Sequence, residues 1–473
     1  MRIEIKSEAN TNVVIIPLFK GKIPKLNNNL GRIIKQNKDF AEEFKFNVCY
    51  LDNEIIIFAG LGEEKTLSSE KARKFGSRVY NCLKNKEIKE ASLVEFSKKA
   101  DVLQAFAEGF MLTSYAFDKY KKEKDKKVNS LTFVSKNNAA QKAFDFADVI
   151  CKGIFLTRDL INEIPSVCNP KYMADIANNV FKGTKVKVKV LEKAELNKLK
   201  MGCVLGVAKA SEVDPKIVIL EYNGKGSKKS RHVLVGKGIT YDSGGLNLKP
   251  TGYLETMKDD MSGAAAVLGT IKVIADLKLP VNVVGIMGCV ENLIGSKSYK
   301  PGDVLVSASG KTVEIANTDA EGRLVLSDCL HYAVTHYKPE TMIDIATLTG
   351  AALVIMGKKY GCIMGNNQQL VDKVLKAGDV CNERSWQLPL WDDFKKDIKS
   401  DIADIKNLGN PKGEAGTIAA GIFLQEFVGN TKWVHVDIAG PCWADGSKDY
   451  ISQGGTGFGV RLLVQHFRTL TRK

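Results

Sequence analysis

Three observations predict an α/β fold in two domains. With 473 residues the chain exceeds what one hydrophobic core ordinarily organises. Short runs with the pattern of buried strands alternate with segments of helical periodicity. Beyond the Pro-bearing stretch "PSVCNP" the strands become more apolar and the alternation more regular. The expectation is a smaller N-terminal α/β domain over residues 1–150 and a larger C-terminal domain over residues 151–473, its mixed sheet flanked by helices.

In the first domain "TNVVIIPLF" and "NEIIIFAGLG" read as buried strands, and "SSEKARKFGSRVYNCLKN" and "ADVLQAFAEGFMLTSYAFDKY" as amphipathic helices. This part has no histidine, no clustered carboxylates and no Gly-rich phosphate turn, so no chemistry is assigned to it. The boundary falls in the long helix-like segment "NAAQKAFDFADVICKGIFLTRDLINEI". The second domain reads as strands "KVKVKVL", "KIVILEY", "HVLVG", "VNVVGIMGCV", "TMIDIATL" and "KWVHVDIAG". Helices such as "SGAAAVLGTIKVIADLKL" and "TIAAGIFLQEFVG" separate them. On such sheets ligands sit at the C-terminal ends of the strands.

Composition narrows the class. A hydrophobic fraction of 44% with 26% charged residues is globular. The start "MRIEIKSEANTNVVIIPLFKG" lacks the apolar core and cleavage site of a signal peptide, and no apolar run reaches membrane-spanning length. Ten cysteines without a C-x-x-C pair suit reduced thiols, so a cytoplasmic protein is expected. Residues 1–150 carry 27 Lys/Arg against 20 Asp/Glu, or +7, which leaves +8 of the total +15 for the remainder. The densest run, "KYKKEKDKK", contains Glu123 and Asp125 and reads as a solvated face or loop; weak attraction to polyanions stays open.

Three segments after strands carry the unusual residues. "KGITYDSGGLNLKP" supplies Lys237, Asp242 and Lys249; "LETMKDDMSGAAA" supplies Asp259 and Asp260 before an Ala-rich helix; "NTDAEGRL" supplies Asp319, Glu321 and Arg323. Taken singly, each has a plain structural reading, since Asn, Thr and Asp cap helices and acids suit a helix N-terminus. "VGKGIT" does not fit the phosphate-binding G-x-x-x-x-G-K-[ST] pattern. If the segments meet at one sheet edge, Asp242, Asp260, Asp319 and Glu321 converge, and four carboxylates in a low-dielectric cleft call for divalent cations. The five histidines lie outside these segments and no H-E-x-x-H is present.

These motifs, with "KPGDV", "DIATLTGA" and "HVDIAGPCW", run in order over residues 158–465 and resemble the leucyl (cytosol) aminopeptidase family. The resemblance implies a two-metal exopeptidase that releases N-terminal residues, leucine and other apolar ones preferred, by attack of a metal-bridging hydroxide. By the same resemblance Asp242 and Glu321 bridge two divalent ions, Mn2+ or Zn2+. Lys237 and Asp260 complete the shell of one ion, and Asp319 binds the other. Lys249 and Arg323 flank the reacting carbonyl as catalytic residues, Arg323 holding a bicarbonate that acts as general base. Met257, Asn317, Thr347, Leu348, Gly350 and Ala351 match the family's substrate pocket. Lys237 binds metal only as the neutral amine, so burial and cations must depress its pKa. The family also implies peptide substrates with a free N-terminus and a homohexamer built as a dimer of trimers; its bacterial members suggest the alternative of DNA binding through the basic N-terminal region. Two departures stand out: Asp259 where the family more often has an apolar residue, and the loop "ENLIGSKSYKPGD".

Overall fold

The N-terminal strands are β1 (Arg2–Lys6), β2 (Val13–Phe19), β3 (Phe46–Leu51), β4 (Glu54–Gly62), β5 (Glu90–Val94) and β6 (Ser130–Val134). They form one sheet in the order β1-β6-β5-β2-β4-β3, parallel throughout except for the β3–β4 pair. The run Ile56–Leu61 in β4 is buried on both faces, which is why it reads as continuously apolar. The structure is a computed structural model that describes residues 2–22, 31, 34, 38–51, 53–225, 231–409 and 413–471. It divides into two units, Met1–Lys152 with Gly446–Gln453, and Gly153–Asp445 with Gly454–Lys473.

The helix Ser69–Asn85 starts where Ser68 Oγ accepts the Lys71 N–H at 3.2 Å. The second helix, expected to run on to residue 120, ends at Thr113. Thr113 and Ser114 hydroxyls donate to the Gly109 and Met111 carbonyls at 2.7 and 2.6 Å, and the apolar residues that follow lie in a loop.

The second unit is built on eight strands: β7 (Lys187–Leu191), β8 (Lys216–Asn223), β9 (Arg231–Asp242), β10 (Asn282–Asn292), β13 (Thr341–Ala346), β14 (Gly361–Gly365), β15 (Ser385–Gln387) and β17 (Lys432–Asp437). Their order is β15-β14-β17-β13-β9-β10-β8-β7, and the central run β17-β13-β9-β10 is parallel. A separate small sheet joins β11 (Val304–Val306), β12 (Thr312–Glu314) and β16 (Ile405–Lys406). The core on one side of the large sheet includes Val233, Val235, Ile286, Leu324, Phe423 and Trp433. Among the described residues no helix is long and apolar enough to cross a membrane, and none of the ten cysteines is in a disulfide.

One difference from the sequence reading shapes the site. The strand was expected to end with "HVLVG", but β9 continues through "KGITYD" to Asp242. Gly236 and Gly238 are there for close approach, not for a turn. A Cβ on Gly236 would stand 2.6 Å from Ala264 Cα, and one on Gly238 2.7 Å from the Gly288 carbonyl oxygen. The β9–β10 register then slips by one residue at Thr240, since Ile239 faces Val290 and Tyr241 faces Glu291. That bulge reverses the alternation, so Asp242 comes to the same face as Lys237 although the two are five residues apart.

Candidate metal centre

Lys237 and Asp242 project from β9 near the C-terminal ends of the parallel strands. Asp260 lies in the 3-10 turn Met257–Met261, directly before the helix Ser262–Asp276. That helix start is pressed onto the sheet: a Cβ on Gly263 would fall 2.1 Å from the Ile345 carbonyl oxygen. Asp319 and Glu321 sit in the loop after β12, Glu321 being the N-cap residue of the helix Gly322–Tyr337. The Asn-Thr-Asp turn thus leads into a helix and carries acids at once. The helix cap falls on Glu321, whose side chain makes no capping hydrogen bond, and not on Asn317, Thr318 or Asp319.

Carboxylate oxygens of Asp242, Asp319 and Glu321 lie within 4.8 Å of one another. Asp260 stands apart from that trio and reaches it through Lys237, whose Nζ is 2.8 Å from Asp260 Oδ1 and 2.9 Å from Glu321 Oε1. The same Nζ donates to the Thr347 carbonyl at 2.8 Å, just beyond β13. Lys249 answers from the other side, 2.8 Å from Asp242 Oδ2 and 2.5 Å from Asp319 Oδ1. Four carboxylates therefore face two ammonium groups.

Burial and mutual repulsion disturb these groups as expected. Burial, reinforced by Glu321, raises Asp242 to about 7, and burial also raises Asp260 well above the usual carboxylate range. Asp319 is raised for the same reasons. Glu321 is the exception: burial pushes it up, but Lys237 and Lys249 together pull it below its ordinary value. Burial pushes Lys237 down, yet Asp260, Glu321 and Asp242 outweigh it and hold the ammonium above the ordinary lysine value. The depressed lysine expected from sequence is therefore not a property of the protein groups alone. Cations added among the carboxylates would be needed to supply it.

The donor set fits divalent cations. Glu321 Oε2 and Asp260 Oδ2 are buried without a hydrogen-bond donor, an expensive state for a carboxylate unless a cation faces it. Carboxylate oxygens with one amine form a donor set that a divalent cation could use.

Supporting residues that the sequence reading missed hold this cluster. Asn292, at the end of β10, donates from Nδ2 to Asp242 Oδ1 at 2.8 Å and to the Thr318 carbonyl at 3.0 Å, tying strand to loop. Thr318 Oγ1 donates to the Gly244 carbonyl at 2.6 Å and the Tyr299 hydroxyl to the Thr318 carbonyl at 2.7 Å. Thr347, already singled out from the sequence for the substrate pocket, also donates from Oγ1 to Asp260 Oδ1 at 2.8 Å. Asp437, ending β17, accepts from the Leu348 and Ala439 N–H groups at 3.0 and 3.1 Å and from Thr349 Oγ1 at 2.7 Å. Asparagine and threonine at strand ends are too common for sequence alone to single these out.

Arg323 lies in the first turn of its helix, buried, with Nε and Nη1 finding no acceptor. Burial lowers its pKa to about 10, so it stays cationic at neutral pH. Met257 opens the turn that carries Asp260, partly buried. Asn317 Oδ1 accepts the Asp319 N–H at 2.7 Å. Thr347 and Leu348 follow β13, while Gly350 and Ala351 begin the helix Gly350–Met356, Gly350 exposed. Asp259 turns away from Asp260's partners: it is buried, has Cys442 Sγ at 3.9 Å, and burial raises it to about 7.

The model of the cytosol aminopeptidase family's catalytic domain matches residues 155–464, and that of its N-terminal domain residues 47–124. A "Probable cytosol aminopeptidase" of Geobacter sp. (strain M21) is 40% identical, covering 99% of this chain and 100% of that protein. The "Cytosol aminopeptidase" of Pseudomonas aeruginosa is 42% identical over 88% of this chain and 85% of its own length. Among solved structures, the "Bottromycin maturation enzyme BotP in complex with Mn" superposes with a TM-score of 0.88 at 28% identity, covering 98% of this chain and all of that one.

Proposed function

The chain belongs to the cytosol aminopeptidase family and is an aminopeptidase, and we propose that its chemistry takes place at the acidic cluster around Asp242, Asp319 and Glu321. The observation that carries this reading is the convergence of those carboxylates, with buried oxygens on Glu321 and Asp260 left without donors. Asp242, Asp319 and Glu321, with Asp260 and Lys237, would hold two divalent cations. A neighbour of the same fold described in complex with Mn supports a transition metal there. When bound, such cations polarise the scissile carbonyl and acidify the attacking water.

The protein groups do the rest. The carboxylate of Asp260 attracts the free α-ammonium of the peptide, which restricts cleavage to the N-terminal residue. Lys249, joined to Asp242 and Asp319, presents an ammonium to the negative charge that develops on the carbonyl oxygen. Arg323, with two N–H groups uncommitted, holds a planar oxyanion, bicarbonate in this reading, which takes the proton of the attacking water. Met257, Asn317, Thr347, Leu348, Gly350 and Ala351 form the side-chain pocket, Met257 and Leu348 favouring apolar residues such as leucine.

A cytoplasmic hexamer completes the proposal; free cysteines support the first part, and exposed Val354, Trp386 and Trp391 support a surface that other copies cover. Nucleic-acid binding by the basic N-terminal region is the second reading, resting on the +15 charge. In its densest run two of the six lysines, Lys124 and Lys126, pair with Asp118 and Glu87. The deciding experiment is hydrolysis of leucyl amide after chelation and separate re-addition of Mn2+ and Zn2+.

A further inference from the structure

We propose that Asn407 is a positioning residue of the acidic centre, its carboxamide setting the loop that carries Asp319 and Glu321. The inference rests on the metal-site reading above. Asn407 directly follows β16, which pairs in parallel with β12 through Val313↔Ile405 and Glu314↔Lys406. Its own N–H donates to the Glu314 carbonyl at 3.0 Å. It is therefore clamped where the chain leaves β12 for the loop.

The side chain is fully buried and all of its hydrogen-bonding capacity toward the loop is in use. Oδ1 accepts from the Ala316 N–H at 2.8 Å and the Asn317 N–H at 3.3 Å. Nδ2 donates to the Asn317 carbonyl at 2.7 Å and the Ala320 carbonyl at 3.2 Å. One carboxamide thus grips the backbone on both sides of Thr318 and Asp319. Asn317 passes the constraint on, because its Oδ1 accepts the Asp319 N–H. The far flank of the loop is held separately, Asn247 and Thr318 exchanging hydrogen bonds at 2.8 and 2.9 Å.

The chemistry selects asparagine. Two N–H groups and two carbonyls of the half-buried loop need an acceptor and donors, and only a neutral amide supplies both from one point. An aspartate would offer no donors and would add negative charge beside an acidic cluster. Like-charged carboxylates repel, so a loop without this tether would let Asp319 and Glu321 spread apart. The cost then falls on cation affinity, as it does when groups orienting metal ligands are lost.

The test uses full-length protein stripped of metal, with Asn407→Asp, nearly isosteric but lacking donors, and Asn407→Ala. Dissociation constants for Mn2+ are read by competition with a chromophoric chelator, and thermal unfolding is followed on the same samples. Both variants should unfold cooperatively yet bind Mn2+ about 10- to 100-fold more weakly than the parent. A folded variant with unchanged Mn2+ affinity overturns the inference. So does failure of both variants to fold, which would make Asn407 a folding element instead. Parent protein that binds no Mn2+ sinks the metal-site reading itself, and this inference with it.

Discussion

Lys249 reaches back seven residues to Asp242, its Nζ 2.8 Å from Oδ2, while the same ammonium touches Asp319 from the following loop. It offsets the charge of both carboxylates. Lys249→Ala should therefore lower kcat by about a hundredfold or more, the scale of losing one oxyanion donor. Metal content should be kept, because removing a cation beside carboxylates strengthens their pull on another. Activity and metal analysis of the same sample decide it, and loss of both metals would make Lys249 a structural residue.

Removal of metal should abolish hydrolysis of leucyl amide, and a divalent transition metal should restore it. The expectation follows from the buried oxygens of Glu321 and Asp260, which have no hydrogen-bond donor. Full activity in a preparation verified as metal-free would end the proposed mechanism.

Asp259 and Asp260 are adjacent yet contact different groups. Asp260 faces Lys237 and Thr347, whereas Asp259 is buried beside Cys442. Asp260→Asn should weaken metal binding and lower kcat together. Asp259→Asn should keep both metals and most activity. Metal content and leucyl-amide kinetics on the pair would expose an error of register if the outcomes were exchanged.

An N-acetylated leucyl peptide should be cleaved far more slowly than its free counterpart, since it has no ammonium for Asp260 to attract. Comparison of the two by chromatography of products is sufficient. Equal rates would point to an endopeptidase.

His466 tests stability instead of chemistry. It is buried in the C-terminal helix, and burial, aided by His232 and Lys373, lowers its pKa to about 4. A depressed histidine contributes stability above its unfolded pKa and loses it as pH falls through the folded value. Between roughly pH 6.5 and 4 the unfolded chain binds the extra proton, which costs the native state on the order of 3 kcal/mol. Urea unfolding of His466→Leu should show a flatter dependence over that window than the parent. Parallel curves would refute the assignment.

The sequence by itself determined the ingredients: alternating buried strands and helices, two domains' worth of chain, and the acids, lysines and arginine of three spaced motifs. Those are legible because each rests on local chemistry, such as periodicity, capping residues and charge. Tertiary structure alone decided how they meet. The strand "HVLVG" seemed to end before Lys237, yet it runs on to Asp242, and the glycines around Lys237 let the start of the helix Ser262–Asp276 pack closely against it. The bulge at Thr240 that brings Asp242 onto Lys237's face depends on pairing with β10, which no local pattern announces. Asn292, Asp437 and Asn407 come from distant strand ends, and their roles exist only once the strands are side by side. Even the charge state of Lys237 was a tertiary matter, because burial and three surrounding carboxylates pull it in opposite directions and their balance follows from distance.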